Sequence, residues 1–408
     1  MIETGIQETN NGDGTVKQHK LLGIDGGGIR GVLAIEILAR LERDLAKAHG
    51  VPLADFRLSD FFDYVAGTST GAVLAACVAR GLTTDEMFDF YLTDSHIMFD
   101  NRWWRKVMAM RYFGTAYDAR PLAQKLRNLF GEETTLEPGN LKCLFLAVTR
   151  NQTTDSPWPI SSNPDAKYND ASLEDCNLKI PLWQIVRAST AAPLAYEPEK
   201  IQWDPDDPST ASWFVDGGVT PYNNPTWLLY RMATEPGYNL NWASGEDKML
   251  VISVGTGSSP KGDDGQLVKR SVLGRLAGSA KIPGALIQAS MVDQDTNCRH
   301  VGRCVSGGVL DSEIGDMIPR DGEMDPQDSY RNRIPLETDL GKEFLYARYN
   351  VHMEQKVLDD LGLADIPVEK VQKLSAVENI AELRRVGKRI ADDIDINDFA
   401  PFLPTTQV

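Results

Sequence analysis

The tightest constraint on this chain is a run of glycines set between a strand-like and a helix-like stretch. Residues 20–24 (KLLGI) are short and apolar, whereas residues 31–47 place Val32, Ile35, Leu38, Leu41 and Leu45 at helical spacing. Between them stands Asp25-Gly26-Gly27-Gly28-Ile29-Arg30-Gly31. Consecutive glycines permit turns closed to other residues and gather several N–H groups at the start of a helix, where the dipole adds partial positive charge. Buried strand, glycine loop and helix, in that order, predict an α/β fold with an anion-holding turn after its first strand. The rhythm repeats. Strands at 61–66, 144–148, 213–215 and 249–254 alternate with helices at 70–79, 118–130 and 182–188, favouring a mostly parallel sheet covered on both faces. Residues 153–175 and 202–212, rich in Pro, Asp, Asn and Ser, read as surface loops, 262–278 as a further loop and 351–395 as helical.

Two chemistries compete for the glycine loop. Gly26-x-Gly28-x-x-Gly31 matches the dinucleotide fingerprint, which also needs an acidic residue closing the second strand. That strand runs instead into Gly67-Thr68-Ser69-Thr70-Gly71, while Asp44 lies inside the helix and Asp60 and Asp63 come too early. The dinucleotide reading fails at its second half. G-x-S-x-G between strand and helix is the nucleophile-elbow pattern, and its flanking glycines permit the sharp turn that presents the serine. A neighbouring glycine loop gives such a serine its oxyanion hole, each preorganised donor being worth on the order of 3 kcal/mol. The serine also needs a base. His300 and His352, downstream, would complete the Ser–Asp–His set of a carboxylesterase; Asp216, in Asp216-Gly217-Gly218 at the end of a short apolar run, would pair with the serine directly. His19, His49 and His96 have no evident role. From another class, a non-catalytic nucleotide- or lipid-binding module uses the same loop without chemistry.

Three motifs together carry a resemblance. The chain resembles patatin-like phospholipases in D-G-G-G-x-R-G at 25–31, G-x-S-x-G at 67–71 and D-G-G at 216–218. Softer agreement comes from R-A-S-T-A-A-P at 187–193, Asn223-Asn224-Pro225 and Gly255-Thr256-Gly257, all in order over 20–257. The resemblance implies a three-layer α/β/α patatin-like fold with a mostly parallel central sheet and a helical C-terminal part. It implies a lipid acyl hydrolase of phospholipase A type, with Ser69 as nucleophile and Asp216 as base. In that picture the N–H groups around Gly26, Gly27 and Gly28 hold the oxyanion and Arg30 fixes the loop. Gly67, Gly71, Gly217 and Gly218 shape the turns, and no metal or organic cofactor takes part. A free aspartate near pKa ~3.9 is a poor base at neutral pH, so such a dyad requires burial. The expected layout is a polar tail over 1–19, a catalytic domain over 20–258 and a C-terminal part over 259–408 packed on it. A membrane phospholipid substrate, a small-molecule or protein activator bound after residue 258, and homo-oligomerisation are further expectations. So is the regulated-effector role of some bacterial family members, which attack the cell's own membrane in antiviral defence.

Charge sharpens the membrane question. Lys and Arg number 42 against 58 Asp and Glu, a net charge of −16 that disfavours nucleic acid and broad docking on anionic lipid. No apolar run approaches the ~20 residues of a bilayer span, and the first nineteen residues lack a signal-like apolar core. Cys77, Cys143, Cys176, Cys298 and Cys304 are odd in number and scattered, which suits free thiols in a reducing compartment. The expectation is a cytoplasmic protein touching membrane peripherally when active. Lipid contact would then be local. Residues 97–114 mix Trp103, Trp104, Met108, Met110, Tyr112 and Phe113 with Arg102, Arg105, Lys106 and Arg111. That composition suits a lipid interface, and also a core-covering helix with snorkelling arginines. A zinc reading of Cys298, His300 and Cys304 lacks a fourth ligand. Asp204, Asp206 and Asp207 fail the calcium-loop spacing at Ser209 and Val215, so they and the pair Asp293 and Asp295 read as solvated turns.

Overall fold

Strand β1 (His19–Ile24) is flanked by β2 (Tyr64–Thr68) and β7 (Met249–Val254), both parallel to it. Every residue of β2 and β7 is buried, as continuous apolar runs require in a sheet covered on both faces. The structure is a computed structural model, and it describes residues 17–98, 118–173, 175–193, 195–204, 206–259, 282–310, 315–318 and 341–404. Beyond β2 lies β3 (Leu144–Asn151), also parallel. The last three residues of β3, past the end of β2, pair antiparallel with β6 (Ala211–Asp216), which carries β5 (Glu199–Gln202) at the edge. This register sets Asp216 opposite Thr149, at the same end of the sheet as the turn after β2.

Successive residues of a strand feed opposite cores. Leu21 joins the cluster formed with α6 (Thr226–Thr234) and α7 (Ile282–Val301), whereas Leu22 joins the larger one on the other face. That larger core receives α1 (Gly31–Ala48), α2 (Thr70–Arg80), α3 (Thr84–Met98), α4 (Arg120–Phe130) and α5 (Leu182–Ser189). The result is the expected three-layer α/β/α arrangement. The C-terminal helices are α8 (Gln355–Asp360), α9 (Val368–Val371) and α10 (Ile380–Ala391). Helix α10 adds Leu383, Val386 and Ile390 to the larger core and joins α1 through an Arg384–Glu36 ion pair of 2.6 Å.

The structure departs from the sequence reading in several places, of which three bear on the sheet. The stretch expected as a loop over 153–175 contains β4 (Ser156–Ser161), paired antiparallel with β3. Pro157 and Pro159 disguise it; a strand pairing on one side only tolerates residues without an N–H. Strand β2 begins at Tyr64 rather than 61, and the sheet does not end at β7. Strands β8 (Arg303–Ser306) and β9 (Leu345–Tyr349) continue it in parallel, giving the order β5-β6-β3-β2-β1-β7-β9-β8. The C-terminal part therefore shares the central sheet.

Among the described residues no helix is long and apolar enough to cross a membrane. Trp103 and Trp104, with the basic island around them, lie outside the described residues.

Candidate active site

The chain leaves β2 at Thr68 and must start α2 at Thr70, so one residue absorbs the whole change of direction. Ser69 does so at φ 55, ψ −123, a conformation costly for a residue with a Cβ. The turn is tight enough to forbid side chains on either flank. A Cβ on Gly67 would lie 2.0 Å from the Gly71 carbonyl oxygen, and one on Gly71 would lie 2.2 Å from that of Ile24. A second layer holds the turn in place. The Ser69 N–H donates to Ser189 Oγ at 2.9 Å, and the Ser189 hydroxyl donates to the Val148 carbonyl on β3 at 2.7 Å.

Asp216 closes β6 and meets this serine directly. Ser69 Oγ donates to Asp216 Oδ2 at 2.6 Å, and the Gly218 N–H donates to Oδ1 at 2.7 Å. The carboxylate is only 5% exposed. Burial pushes its pKa from 3.8 up to about 6, against the opposing pull of the Ser69 and Gly218 hydrogen bonds and the Arg187 charge. It is thus anionic at neutral pH yet much more basic than a free aspartate. Arg187 is itself fully buried, donating to the Glu197 carbonyl at 3.0 Å and lying 5.0 Å over the Tyr196 ring.

The glycine loop supplies donors, although fewer than its sequence suggests. The Gly26 N–H is committed to the Asn223 carbonyl at 3.0 Å, and the Ile29 N–H to that of Leu374 at 3.0 Å. Among the described residues the N–H groups of Gly27 and Gly28 have no acceptor. The loop is clamped through the Gly26 carbonyl, which accepts from Thr256 Oγ1 at 2.8 Å and Asn223 Nδ2 at 3.3 Å. Arg30 donates to Ser259 Oγ at 3.0 Å, and burial lowers its pKa to about 10, leaving it cationic. Two unsatisfied N–H groups at a helix start can receive an anion, and a polarised serine can attack a carbonyl.

The other sequence candidates sit apart from this chemistry. Among the described residues no histidine hydrogen-bonds to Ser69 or Asp216. His300 is exposed on α7, His352 bridges to Ser258, His19 stacks on Trp242 at 3.8 Å, and His49 bonds the Leu45 carbonyl. Cys298 and Cys304 are buried thiols. Asp204 and Asp207 cap turns through the N–H groups of Asp206 and Ser209. Asp295 corrects its reading as a solvated turn: it stands on α7, buried, with both oxygens on Arg299. The sequence reading missed the roles of Ser189 and of the Asn223 and Leu374 carbonyls. Ser189 and Asn223 lie in the quoted R-A-S-T-A-A-P and N-N-P strings; a backbone carbonyl such as that of Leu374 leaves no mark in sequence.

Comparison with known proteins gives a family and several relatives. A family model described as patatin-like phospholipase matches residues 22–230. The chain is 29% identical over 246 residues to a cGAMP-activated phospholipase of Vibrio cholerae, covering 59% of this chain and 64% of that protein. It is 30% identical over 212 residues to a cGAMP-activated phospholipase of Escherichia coli, covering 51% of this chain and 54% of that one. With patatin group J-1 of Solanum tuberosum it shares 28% identity over 257 residues, 60% of this chain and 62% of the relative. The chain thus spans between half and two thirds of the length of these curated relatives.

Proposed function

The chain belongs to the patatin-like phospholipase family, and on that premise we propose that it hydrolyses acyl esters of membrane phospholipids through Ser69 and Asp216. The observation that carries this reading is the direct 2.6 Å hydrogen bond from Ser69 Oγ to Asp216, beside the two acceptor-free N–H groups of Gly27 and Gly28. Ser69 Oγ attacks the ester carbonyl carbon as its proton passes to Asp216, and the carbonyl oxygen becomes an oxyanion facing Gly27 and Gly28. Collapse breaks the bond to the alcohol, the lysophospholipid, which leaves with the proton from Asp216. The acyl group remains on Ser69. Asp216 then takes a proton from water, the resulting attack forms a second oxyanion, and fatty acid departs as Ser69 recovers its proton. Every step uses groups already in the site, and no metal or organic cofactor is part of this reading.

The catalytic unit is taken as residues 20–258, preceded by a polar tail over 1–19. Two relatives bear the name cGAMP-activated phospholipase. That name supports a small-molecule, nucleotide activator here and fits an antiviral-defence effector; its binding in the 259–408 part, and cytoplasmic action on the cell's own membrane, are part of the same proposal. Activity on membranes would involve the aromatic and basic island at Trp103 and Trp104.

The test compares lipids of cells producing the wild-type chain with those producing Ser69→Ala, alongside labelling by a fluorophosphonate. Free fatty acid and lysophospholipid should accumulate, and label should appear, only with Ser69 present. Equal lipid turnover by the alanine variant would overturn the proposal.

A further inference from the structure

We infer that Arg348, on β9 beyond the family-matched region, is a positioning residue that holds the oxyanion loop in register with Ser69 by gripping Asp25. The inference rests on the hydrolytic reading above. Asp25 is the first residue of the glycine loop and is 0% exposed. Arg348 Nη2 donates to Asp25 Oδ2 at 2.6 Å and Nη1 to Oδ1 at 3.2 Å. A carboxylate removed from water this completely is tolerated only in such a charge-assisted, two-pronged bond. The Asp25 N–H is fixed separately, by the Val254 carbonyl at 3.0 Å. The loop's first residue is therefore held by both backbone and side chain, two positions before the first acceptor-free N–H at Gly27.

The grip on Arg348 is equally firm. It is 3% exposed; Nη1 also donates to Ser253 Oγ at 2.6 Å, and Nε stands 3.2 Å from Asp295 Oδ2 on α7. Asp295 in turn accepts from Arg299 Nε at 2.9 Å, Arg299 Nη2 at 3.0 Å and the Tyr346 hydroxyl at 2.9 Å. Two arginines and two aspartates alternate, so the buried network is neutral as a whole. Arg348, Asp295 and Arg299 all come from the C-terminal part, while Asp25 belongs to the loop. The same loop is held at its far side by the Leu374 carbonyl on the Ile29 N–H. An oxyanion donor works only within a few tenths of an ångström of its place, and a shift of about 1 Å costs on the order of a hundredfold in rate. Moving Arg348 would leave Asp25 buried and unpaired, and the loop would shift to relieve it.

The test uses the 408-residue chain, with cGAMP supplied, on a soluble short-chain ester. It measures kcat and KM across pH, thermal stability, and the fraction of sites titrated by a fluorophosphonate run to completion. Arg348→Lys keeps the charge but loses the fork. Its kcat per titrated site should fall about tenfold, with KM within about twofold and the acidic limb of the pH profile unmoved. Arg348→Met should fall about a hundredfold per site on the same readouts, with the lysine variant intermediate. A purely structural role would lower stability or the titratable fraction while leaving kcat per site at the wild-type value in Arg348→Lys, and that result overturns the inference even if Arg348→Met does not fold. Failure of the underlying reading looks different: the wild-type chain itself would show no ester turnover with or without cGAMP, or turnover that survives in Ser69→Ala.

Discussion

Replacing the proposed base should make the protein more stable, in one pH range only. Asp216 is buried and its pKa is raised from 3.8 to about 6 by desolvation. A carboxyl raised in the folded state binds its proton more tightly there than in the unfolded chain. Its contribution to stability is fully present below pH 3.8 and is lost as pH rises to about 6. At 1.36 kcal/mol per pH unit, the gap corresponds to about 3 kcal/mol lost above that window. Asp216→Asn cannot ionise and escapes this loss, while its side-chain oxygen can still accept the Gly218 N–H. The stability difference, variant minus wild type, should therefore rise by about 3 kcal/mol between about pH 3.5 and about pH 7.5. For a chain of 408 residues unfolding as one unit that is a shift of about 4 °C in Tm, at about 2 cal/mol/K per residue. Urea unfolding of both proteins across the series measures it directly, and ester turnover by the variant should be abolished in parallel. Any constant offset from the amide cancels, so only the slope matters. A difference that stays flat with pH would refute the claim that an unfavourably buried carboxylate sits against Ser69.

Three further outcomes follow from the same geometry. The profile of kcat/KM should fall on the acid side with an apparent pKa of about 6, the value set by Asp216, and should be unchanged in His300→Ala and His352→Ala; loss of activity in either histidine variant would restore the Ser–Asp–His reading. Ser189→Ala removes the acceptor of the Ser69 N–H, so it should cost about 1–3 kcal/mol in urea unfolding and about tenfold in kcat, whereas wild-type values for both would remove Ser189 from the elbow's support. Trp103→Ala with Trp104→Ala should reduce hydrolysis of phospholipid vesicles about tenfold while sparing a soluble ester, and equal loss on both substrates would sink the membrane role of that island.

What the sequence discloses depends on whether a feature is local. Strands β1, β3 and β7 are legible because a strand buried on both faces must be an unbroken apolar run. Strand β9 (LYARY) is equally buried but carries Arg348 as its fourth residue, and the cost of burying that charge is offset by Asp25, 323 residues away in sequence. No window of sequence contains both halves of that compensation. Helix α3 is legible as well, since Met87, Phe90 and Tyr91 are buried at helical spacing while Asp85, Glu86 and Asp89 are exposed, yet the sequence reading passes over it. At the site, Ser69 and Asp216 are legible through their glycines. The commitment of the Gly26 N–H to the Asn223 carbonyl, which reduces three loop donors to two, appears only in three dimensions.

A serine paired directly with an aspartate also sets an electrostatic requirement that this site meets. When a histidine serves as base, the attack separates charge, creating imidazolium and oxyanion from neutral partners. With Asp216 as base, a single negative charge moves from the carboxylate to the oxyanion, and the total does not change. The barrier then depends on the difference in potential between the two ends of that path. Strong positive charge at Asp216 would stabilise the starting state and oppose the step, whereas donors at the glycine loop favour it. Arg187 is the cation on the Asp216 side; its Nε lies 3.9 Å from Glu199 and its Nη2 is tied to the Glu197 carbonyl, which tempers its pull. Arg348 is spent on Asp25 and Asp295, whereas Arg30, within the loop itself, stays cationic and donates to the neutral Ser259 hydroxyl. The receiving end is therefore set by the Arg30 charge together with dipoles, the Gly27 and Gly28 N–H groups and the start of α1 at Gly31. In the proposed mechanism, burial of Asp216 raises the energy of the charge where it starts, and the Arg30 charge and fixed dipoles lower it where it arrives, so the fold would favour proton transfer and acyl attack in the same direction.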